Sequence, residues 1–528
     1  MKQYGPIELN SLSEGFEEAD RYIGNILNEN GVADTTASET AIVFEALCSS
    51  IFEQKKPEDG PVTVSGRSSM GDVSLVITYD GAMYDAESMS SASLIPEQEI
   101  LRAFADKIDY GYRLGHNRIV ISVRRSHIRM TALYALAIIL GIIAYQIIMF
   151  FMSDSGMEAL KLNFTSPLVK LFSNAVLMVG APVTFLSLLK NMTDTYILSE
   201  KNSKARKLHK ATVTSSVFAV VCAIVLNYVL AFALSEDMTI EDFTHLDLGI
   251  SPGELISSLI PSDIFTPFQT FSPFPLLIVA VLVTYAFCSV GRQFDKLKSA
   301  VDVCYALFSR LLSIVMFALP FFTFIGTVDF LLRQDFSVVL GMIMLIALVV
   351  AGLCVFCLYY LIRIKINGIS ARSFIRNILP LLRENAKISS AIDAAPFNIR
   401  YIAKTFGIDR KKLKDSVPVL AQINLDGNCF LITLIALMII LLSATMIYPI
   451  DAFSIGFLVF FLSFGAPNQP GSCLIALIII LQYLNAPNLM PLAIFSEAVF
   501  GGLLNLVNVA GDVVAIVTDD AKERKNRT

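Results

Sequence analysis

The feature that most limits what this chain can become is a change of composition at Arg129. Before it the sequence is polar and mixed. After it come apolar runs long enough to cross a bilayer, for which about 20 residues suffice. A soluble domain averages about 25% charged residues; this chain has 16% and is 55% hydrophobic. The expectation is a multi-pass α-helical membrane protein carrying an N-terminal soluble domain. Uninterrupted spans are expected near 130–152, 166–190, 212–235, 274–291, 309–331 and 338–362. The remainder is less regular. Residues 371–403 are broken by Ser389, Ser390, Asp393 and Pro396, 417–446 by "NLDGN", 453–485 by "GAPNQPGS", and 490–518 by Asn505, Asn508 and Asp512. Interrupted segments in corresponding positions are the sequence pointer to a transporter binding site.

Charge asymmetry gives an expected orientation. Arg124, Arg125 and Arg129 precede the first span, Lys201 to Lys210 carry five basic residues between the second and third, and Lys522 to Arg527 close the chain. No Lys or Arg occurs from 211 to 291, a region holding Glu236, Asp237, Glu241, Asp242, Asp247 and Glu254. The positive-inside rule then puts both termini in the cytoplasm, with the protein in the plasma or inner membrane. Eight crossings plus two re-entrant hairpins fit that parity. No basic face or recognition motif supports nucleic-acid binding. Seven of the eight cysteines (Cys222, Cys288, Cys304, Cys354, Cys357, Cys429, Cys473) lie in or beside apolar runs and read as small core residues. Cys354 and Cys357 have no second pair and read as neither zinc nor redox ligands. The first 125 residues contain no signal-peptide pattern.

The last hundred residues pose a charge problem. From 415 to 521 runs a stretch with no histidine and, past Lys414, no lysine or arginine, yet Asp426 and Asp512 lie deep in apolar sequence. An ionised carboxylate in a low-dielectric interior costs several kcal/mol even after relaxation. Each acid must therefore be protonated, paired with a distant base such as Lys387, or bound to a cation. Asn424 and Asn508 offer carbonyl oxygens, and Gly427 and Gly511 are expected to let the backbone unwind and turn main-chain carbonyls inward. Carboxylate and carbonyl oxygens suit a hard cation. Two protonated acids serving helix packing are the other reading.

These residues carry a resemblance. The chain from about 130 to 520 resembles the dicarboxylate/amino acid:cation symporters, the glutamate-transporter fold. "NLDGN" is similar to that family's NMDGT, and "LNLVNVAGD" to the end of its last-helix motif D-x-x-R-T-x-x-N-V-x-G-D. "ISSAIDAAP" resembles the serine-rich tip of the first hairpin, "GAPNQPGS" the tip of the second, and "TSSVFAV" the third helix. The resemblance implies a homotrimer in membrane lipid whose transport domain moves as an elevator, with Na+ or H+ driving uptake of a small organic solute. It implies Asn424, Asp426, Asn508, Asp512, Ser215 and Ser216 as cation ligands. It implies Ser390, Asn428, Pro470, Gly471 and Asn505 facing the substrate. The departures fall on the substrate side. The motif arginine is Leu504, its first aspartate is Gly501, the NMDGT threonine is Asn428, and an aromatic position on the third helix is Thr212. A leucine cannot replace the bidentate fork with which arginine holds a carboxylate, so acidic amino acids are expected to be poor substrates. Lys387, Asp393 and Glu497 are candidate substitutes for substrate or proton coupling.

Residues 1–125 read as α+β. "SETAIVFEALCSSIFEQ" has helical spacing, "PVTVSGRS" and "DVSLVITYDG" alternate like strands, and "EILRAFADKIDYGYRLGHNRIVISVRR" reads as a helix, a turn and a closing strand. The region is similar to the ATPase fold of anti-sigma factors and histidine kinases, with Glu45, Asp80 and Gly81 as the nucleotide contacts the resemblance implies. It departs at the chemistry. Ser49 stands in place of the magnesium-binding asparagine, and the glycine-rich lid is absent from "SMSSASLIPEQEI". That argues against ATP as a cofactor and for a regulatory or docking module. The membrane region extends over 126–518, and 519–528 is a cytoplasmic tail. No Walker-type loop is present, and an enzyme is not expected. The rival class is a membrane solute sensor signalling to a cytoplasmic regulatory protein.

Overall fold

The computed structural model describes residues 2–9, 16–32, 34–55, 59–69, 72–82, 84, 108–113, 115–124, 130–201, 203–233, 260–269, 272–289, 294–333, 337–386, 391–442, 447–466, 471–484 and 486–527. The chain divides into two compact units. One comprises Met1–Ile128 with Asp393–Pro418; the other comprises Arg129–Ile392 with Val419–Thr528.

In the first unit, strands β1 (Lys2–Leu9), β2 (Val62–Ser69), β3 (Asp72–Asp80), β4 (Ile108–Arg113) and β5 (His116–Arg124) form one antiparallel sheet in the order β1-β2-β3-β5-β4. The alternation seen in the sequence explains the layering. Val73, Leu75 and Ile77 of β3 and Ile119, Ile121 and Val123 of β5 point to one face. There they pack on α1 (Phe16–Glu29) and α2 (Asp34–Gln54) through Ile23, Leu27, Phe44, Leu47 and Ile51. The expected helix, turn and closing strand needs amendment. Ile108–Arg113 is a strand, joined to β5 as a hairpin that turns at Gly115, whose φ is +87°. The residues before Ile108 in that stretch lie outside the described residues.

The segment Asp393–Pro418, which the sequence assigns to the membrane region, clusters with this first unit. It spans most of α11 (Ala391–Phe406) and the start of α12 (Arg410–Ile423). Arg400 donates to Asp20 at 2.5 Å and Arg410 to Glu45 at 2.5 Å.

The second unit is helical. Its elements are α3 (Met130–Phe151), α4 (Ser166–Lys201), α5 (Ser203–Ala233), α6 (Pro273–Ser289), α7 (Phe294–Phe317), α8 (Leu319–Arg333), α9 (Ser337–Ile366), α10 (Ala371–Asn385), α13 (Asp426–Leu442), α14 (Pro449–Phe464), α15 (Ser472–Tyr483) and α16 (Met490–Arg527). Seven stretches among the described residues are long and apolar enough to cross a membrane, and four shorter apolar helices accompany them. They differ in what surrounds them. The stretches in α3 and α7 are 22% and 17% buried and present an apolar surface suited to lipid, whereas Val419–Leu441, running into α13, is buried throughout. The unit is thus built around α13.

Two expectations are amended. The span drawn at 309–331 is broken between α7 and α8 at Ala318, where Pro320 falls in the first turn of the new helix and has no N–H to continue the old one. The interruption expected in 490–518 does not occur, since α16 is continuous through Asn505, Asn508, Gly511 and Asp512. "NLDGN" does break the chain: α12 stops at Ile423 and α13 begins at Asp426. "GAPNQPGS" separates α14 from α15 as expected.

Candidate functional site

The break at Asn424–Leu425 sets Asp426 in the first turn of α13, where the helix dipole favours a negative charge. Its side chain is wholly buried. Two consecutive serines of α5 reach both of its oxygens. Ser215 Oγ donates to Oδ2 at 2.6 Å and Ser216 Oγ to Oδ1 at 2.9 Å. Tyr360 of α9 adds a third donor, its hydroxyl lying 3.1 Å from Oδ2. One turn further along α9, Arg363 Nη1 donates to Ser215 Oγ at 3.4 Å, and the Tyr359 hydroxyl lies 3.3 Å from the same oxygen.

Asp512 of α16 is also buried and accepts from the Asn424 amide, Nδ2 to Oδ1, at 2.9 Å. Asn508, one turn earlier, turns its Oδ1 to the start of α13, accepting from Gly427 N–H at 2.8 Å and Asn428 N–H at 3.4 Å, while its Nδ2 donates to Asn428 Oδ1 at 3.1 Å. Asn508 therefore supplies some of the first-turn N–H groups of α13 with a partner.

The two glycines act by closeness rather than by unwinding. A Cβ on Gly427 would lie 2.5 Å from the Leu504 carbonyl and 2.8 Å from Asn508 Oδ1. One on Gly511 would lie 2.7 Å from the Tyr360 hydroxyl, 2.8 Å from Asn424 Nδ2 and 3.4 Å from Asp426 Oδ2. The two glycines let α13 and α16 meet closely enough for both carboxylates to share one polar interior.

All six expected cation-site residues are thus brought together. Among the described residues neither Asp426 nor Asp512 forms an ion pair with Lys or Arg. The donors are carboxylate, amide and hydroxyl oxygens, the set a hard cation takes. Tyr360 and Arg363 were not among the expected residues. Their signal is "YYLIR" near the end of an apolar helix, where spacing i, i+3 puts a hydroxyl and a guanidinium on one face.

Of the expected substrate residues, Asn428 and Asn505 are buried beside Asn508, and Leu504, in the arginine's place, is buried too. Gly471 caps α15 with φ +101°. Lys387, Ser390 and Pro470 lie outside the described residues. Asp393 lies in α11, at the edge of the segment that clusters with the first unit. Glu497 is buried and accepts hydrogen bonds from the backbone of Gly471 and Leu474.

The three candidate nucleotide contacts have partners from the chain itself. Glu45 pairs with Arg410, Asp80 with His116, and a Cβ on Gly81 would lie 2.6 Å from the Asp59 carboxyl carbon. Tyr84, three residues beyond Gly81, is buried. Its hydroxyl is 2.7 Å from Ser50 Oγ, its N–H donates to Asn117 Oδ1 at 2.8 Å, and its ring stacks on Tyr110. Burial there pushes the Tyr110 hydroxyl up to about 12.

A sequence model of the Sodium:dicarboxylate symporter family matches residues 129–520, about three quarters of the chain. Among curated relatives, the L-cystine uptake protein TcyP of Bacillus cereus is 21% identical over 287 residues, covering 52% of this chain and 61% of the relative. The proteins of the same name from Bacillus thuringiensis and Bacillus anthracis match over the same lengths at the same identity. The chain thus matches less than two thirds of the length of these relatives.

Proposed function

The chain belongs to the sodium:dicarboxylate symporter family, and from that premise we propose that it is a secondary active transporter coupling Na+ or H+ to uptake of a small organic solute. The observation that carries this reading is the pair of buried carboxylates, Asp426 and Asp512, set among oxygen donors with no direct ion pair to Lys or Arg among the described residues. Asn424, Asp426, Asp512, Ser215 and Ser216 hold the cation, and Tyr360 joins them. A hydroxyl can donate to a carboxylate or turn a lone pair to a cation, so this shell can serve both states. Asn508 organises the start of α13 and contributes at second hand. The arrangement of the family, a trimer whose transport domain moves as an elevator with both termini cytoplasmic, is part of the proposal.

The solute is an amino acid or carboxylate that does not need an arginine for its side chain, because Leu504 stands where a carboxylate would be held. Cystine, taken up by the TcyP relatives, is the first candidate. Reconstituted full-length protein should accumulate labelled cystine, or another neutral amino acid, against its gradient when Na+ or H+ flows inward. Robust sodium-driven glutamate accumulation would refute the substrate reading. Saturable solute binding with no flux under any cation gradient would refute transport and favour a sensor.

The N-terminal domain acts as a docking module on Asp393–Pro418 rather than as an ATPase. The pairs Asp20–Arg400 and Glu45–Arg410 are partly exposed. Exposed pairs are worth about 0.2–1 kcal/mol each, weak enough for salt or a cytoplasmic partner to displace. Reversing both arginines (R400E with R410E) should change the uptake rate a few-fold without loss of protein, and adding D20R with E45R should restore it. Identical rates in all three proteins would leave the domain without a regulatory role.

A further inference from the structure

The interrupted segment 453–485 has two helix ends at its tip, and each is capped by a side chain from another helix. At the end of α14, Asn191 Nδ2 donates to the Phe464 carbonyl at 2.7 Å and Ser187 Oγ to the Ala466 carbonyl at 3.2 Å, both from α4. The Phe464 carbonyl is one that a helix C-terminus leaves without a partner, and Ala466 lies just past the cap. At the start of α15 the cap comes from α16. Glu497 Oε1 accepts from Gly471 N–H at 2.8 Å and Oε2 from Leu474 N–H at 3.0 Å. A carboxylate is the best acceptor for such N–H groups, since its charge faces the positive end of the helix. Gly471 can present its N–H there because its left-handed backbone is open to glycine, and a Cβ would strike Met316 at 2.8 Å.

Gly501 completes the arrangement. It lies one turn beyond Glu497 on α16, and a Cβ there would sit 2.6 Å from Glu497 Oε1 and 3.0 Å from its Cδ. The carboxylate fills the space that any other residue at 501 would need. Gly501 is also the position where the last-helix motif has its first aspartate. Glu497, one turn before it, is committed to the backbone of α15.

We propose that Glu497 is the latch of the second hairpin, a positioning residue that holds the return arm α15 against α16 by both carboxylate oxygens, with Gly501 as the notch that seats it. Opening the hairpin requires the backbone N–H groups of Gly471, Cys473 and Leu474 to leave the carboxylate. The inference leans on the transport reading only for its consequence in flux, and the latch can be read without flux. Cys473, wholly buried beside Leu474, is a native reporter, and Cys429, wholly buried in α13, is its control.

Full-length protein and two variants, E497Q and G501A, are treated with N-ethylmaleimide, and modification at each cysteine is followed by peptide mass spectrometry. Glutamine keeps one acceptor and places an N–H2 against the other backbone N–H. G501A leaves Glu497 in the chain but occupies its seat. Both variants should label Cys473 at least about tenfold faster than the wild type, while Cys429 stays protected, as local opening requires. Wild-type rates at Cys473 in either variant would overturn the latch. So would parallel acceleration at Cys429, which marks a loosened bundle. A wild type that transports nothing but shows the selective change would keep the latch and sink the transport reading, so the two failures are distinguishable.

Discussion

Asp426 and Asp512 are two buried acids on touching helices, and they are held differently. Asp426 receives three hydroxyls from two other helices, while Asp512 receives the amide of Asn424. The difference lies in the donors. Serine and tyrosine hydroxyls rotate freely and either donate or accept, whereas an amide nitrogen only donates. To offer its oxygen to a cation, Asn424 must turn its amide over. On the proposed cation reading, Asp426 keeps its hydroxyl partners while Asp512 is the acid whose surroundings must change most for a cation to bind.

Exchanging the two acids for asparagine should break this comparison most sharply. In D426N one oxygen becomes an N–H2 and the other loses its charge, so the charge-assisted bonds from Ser215, Ser216 and Tyr360, each worth about 1.5–3 kcal/mol, are weakened or must be reversed. Folded yield and melting temperature should fall steeply, with uptake abolished. D512N can still accept from Asn424 through its amide oxygen, so its fold should survive. What it should lose is stabilisation by the cation, which amounts to about 2.7 kcal/mol at a hundredfold excess over Kd. Thermal melts with and without Na+ at fixed ionic strength distinguish the two. If D512N melts lower than D426N without Na+, the assignment is reversed.

The same contrast shows what the sequence could reveal. The break at "NLDGN" was legible because Asp and Gly in an apolar run argue against an unbroken helix, and the structure breaks there. By the same reasoning "NVAGD" should also break, yet α16 runs through it. Gly511 is there for a neighbour's approach, which composition cannot distinguish from unwinding. Arg363 and Tyr360 were missed because they reach the site from a separate helix. In the first unit the alternation of β2, β3 and β5 was plain, but Ile108–Arg113 was read through the helical pattern before it. The pairing of Asp20 with Arg400 spans 380 residues and depends on placement that no local signal carries.

Gly511 offers a milder test of the shared interior. G511A puts a methyl group 2.7 Å from the Tyr360 hydroxyl and 2.8 Å from Asn424 Nδ2. Overpacking of this kind costs about 1–3 kcal/mol, and it touches the partners of both acids at once. Both the melting temperature and the cation response should fall. A loss of only one would show that the two acids are independent. S215A should cost less than D426N, about 1–3 kcal/mol, because Tyr360 still donates to the same oxygen. Its melt without Na+ should fall, and with one proposed cation ligand gone its Na+ response should weaken without vanishing as it does in D512N.

Arg363 gives the smallest effect on stability and the one most informative about charge. It reaches Ser215 rather than either acid, at the long distance of 3.4 Å, so replacing it with glutamine should cost under about 1 kcal/mol. Its influence is electrostatic. A guanidinium one hydroxyl away from Asp426 opposes a second positive charge at that carboxylate, and the opposition weakens only slowly with distance at an effective dielectric of about 20. R363Q should therefore bind the coupling cation a few-fold more tightly and release it more slowly, while R363K, which keeps the charge, should behave like the wild type. Cation titrations of the melting temperature measure the first effect, and uptake at saturating cation measures the second. Weaker cation binding in R363Q would mean that the arginine builds the site through Ser215 instead of opposing its occupant, and Asp426 would then depend on that arginine for its charge after all.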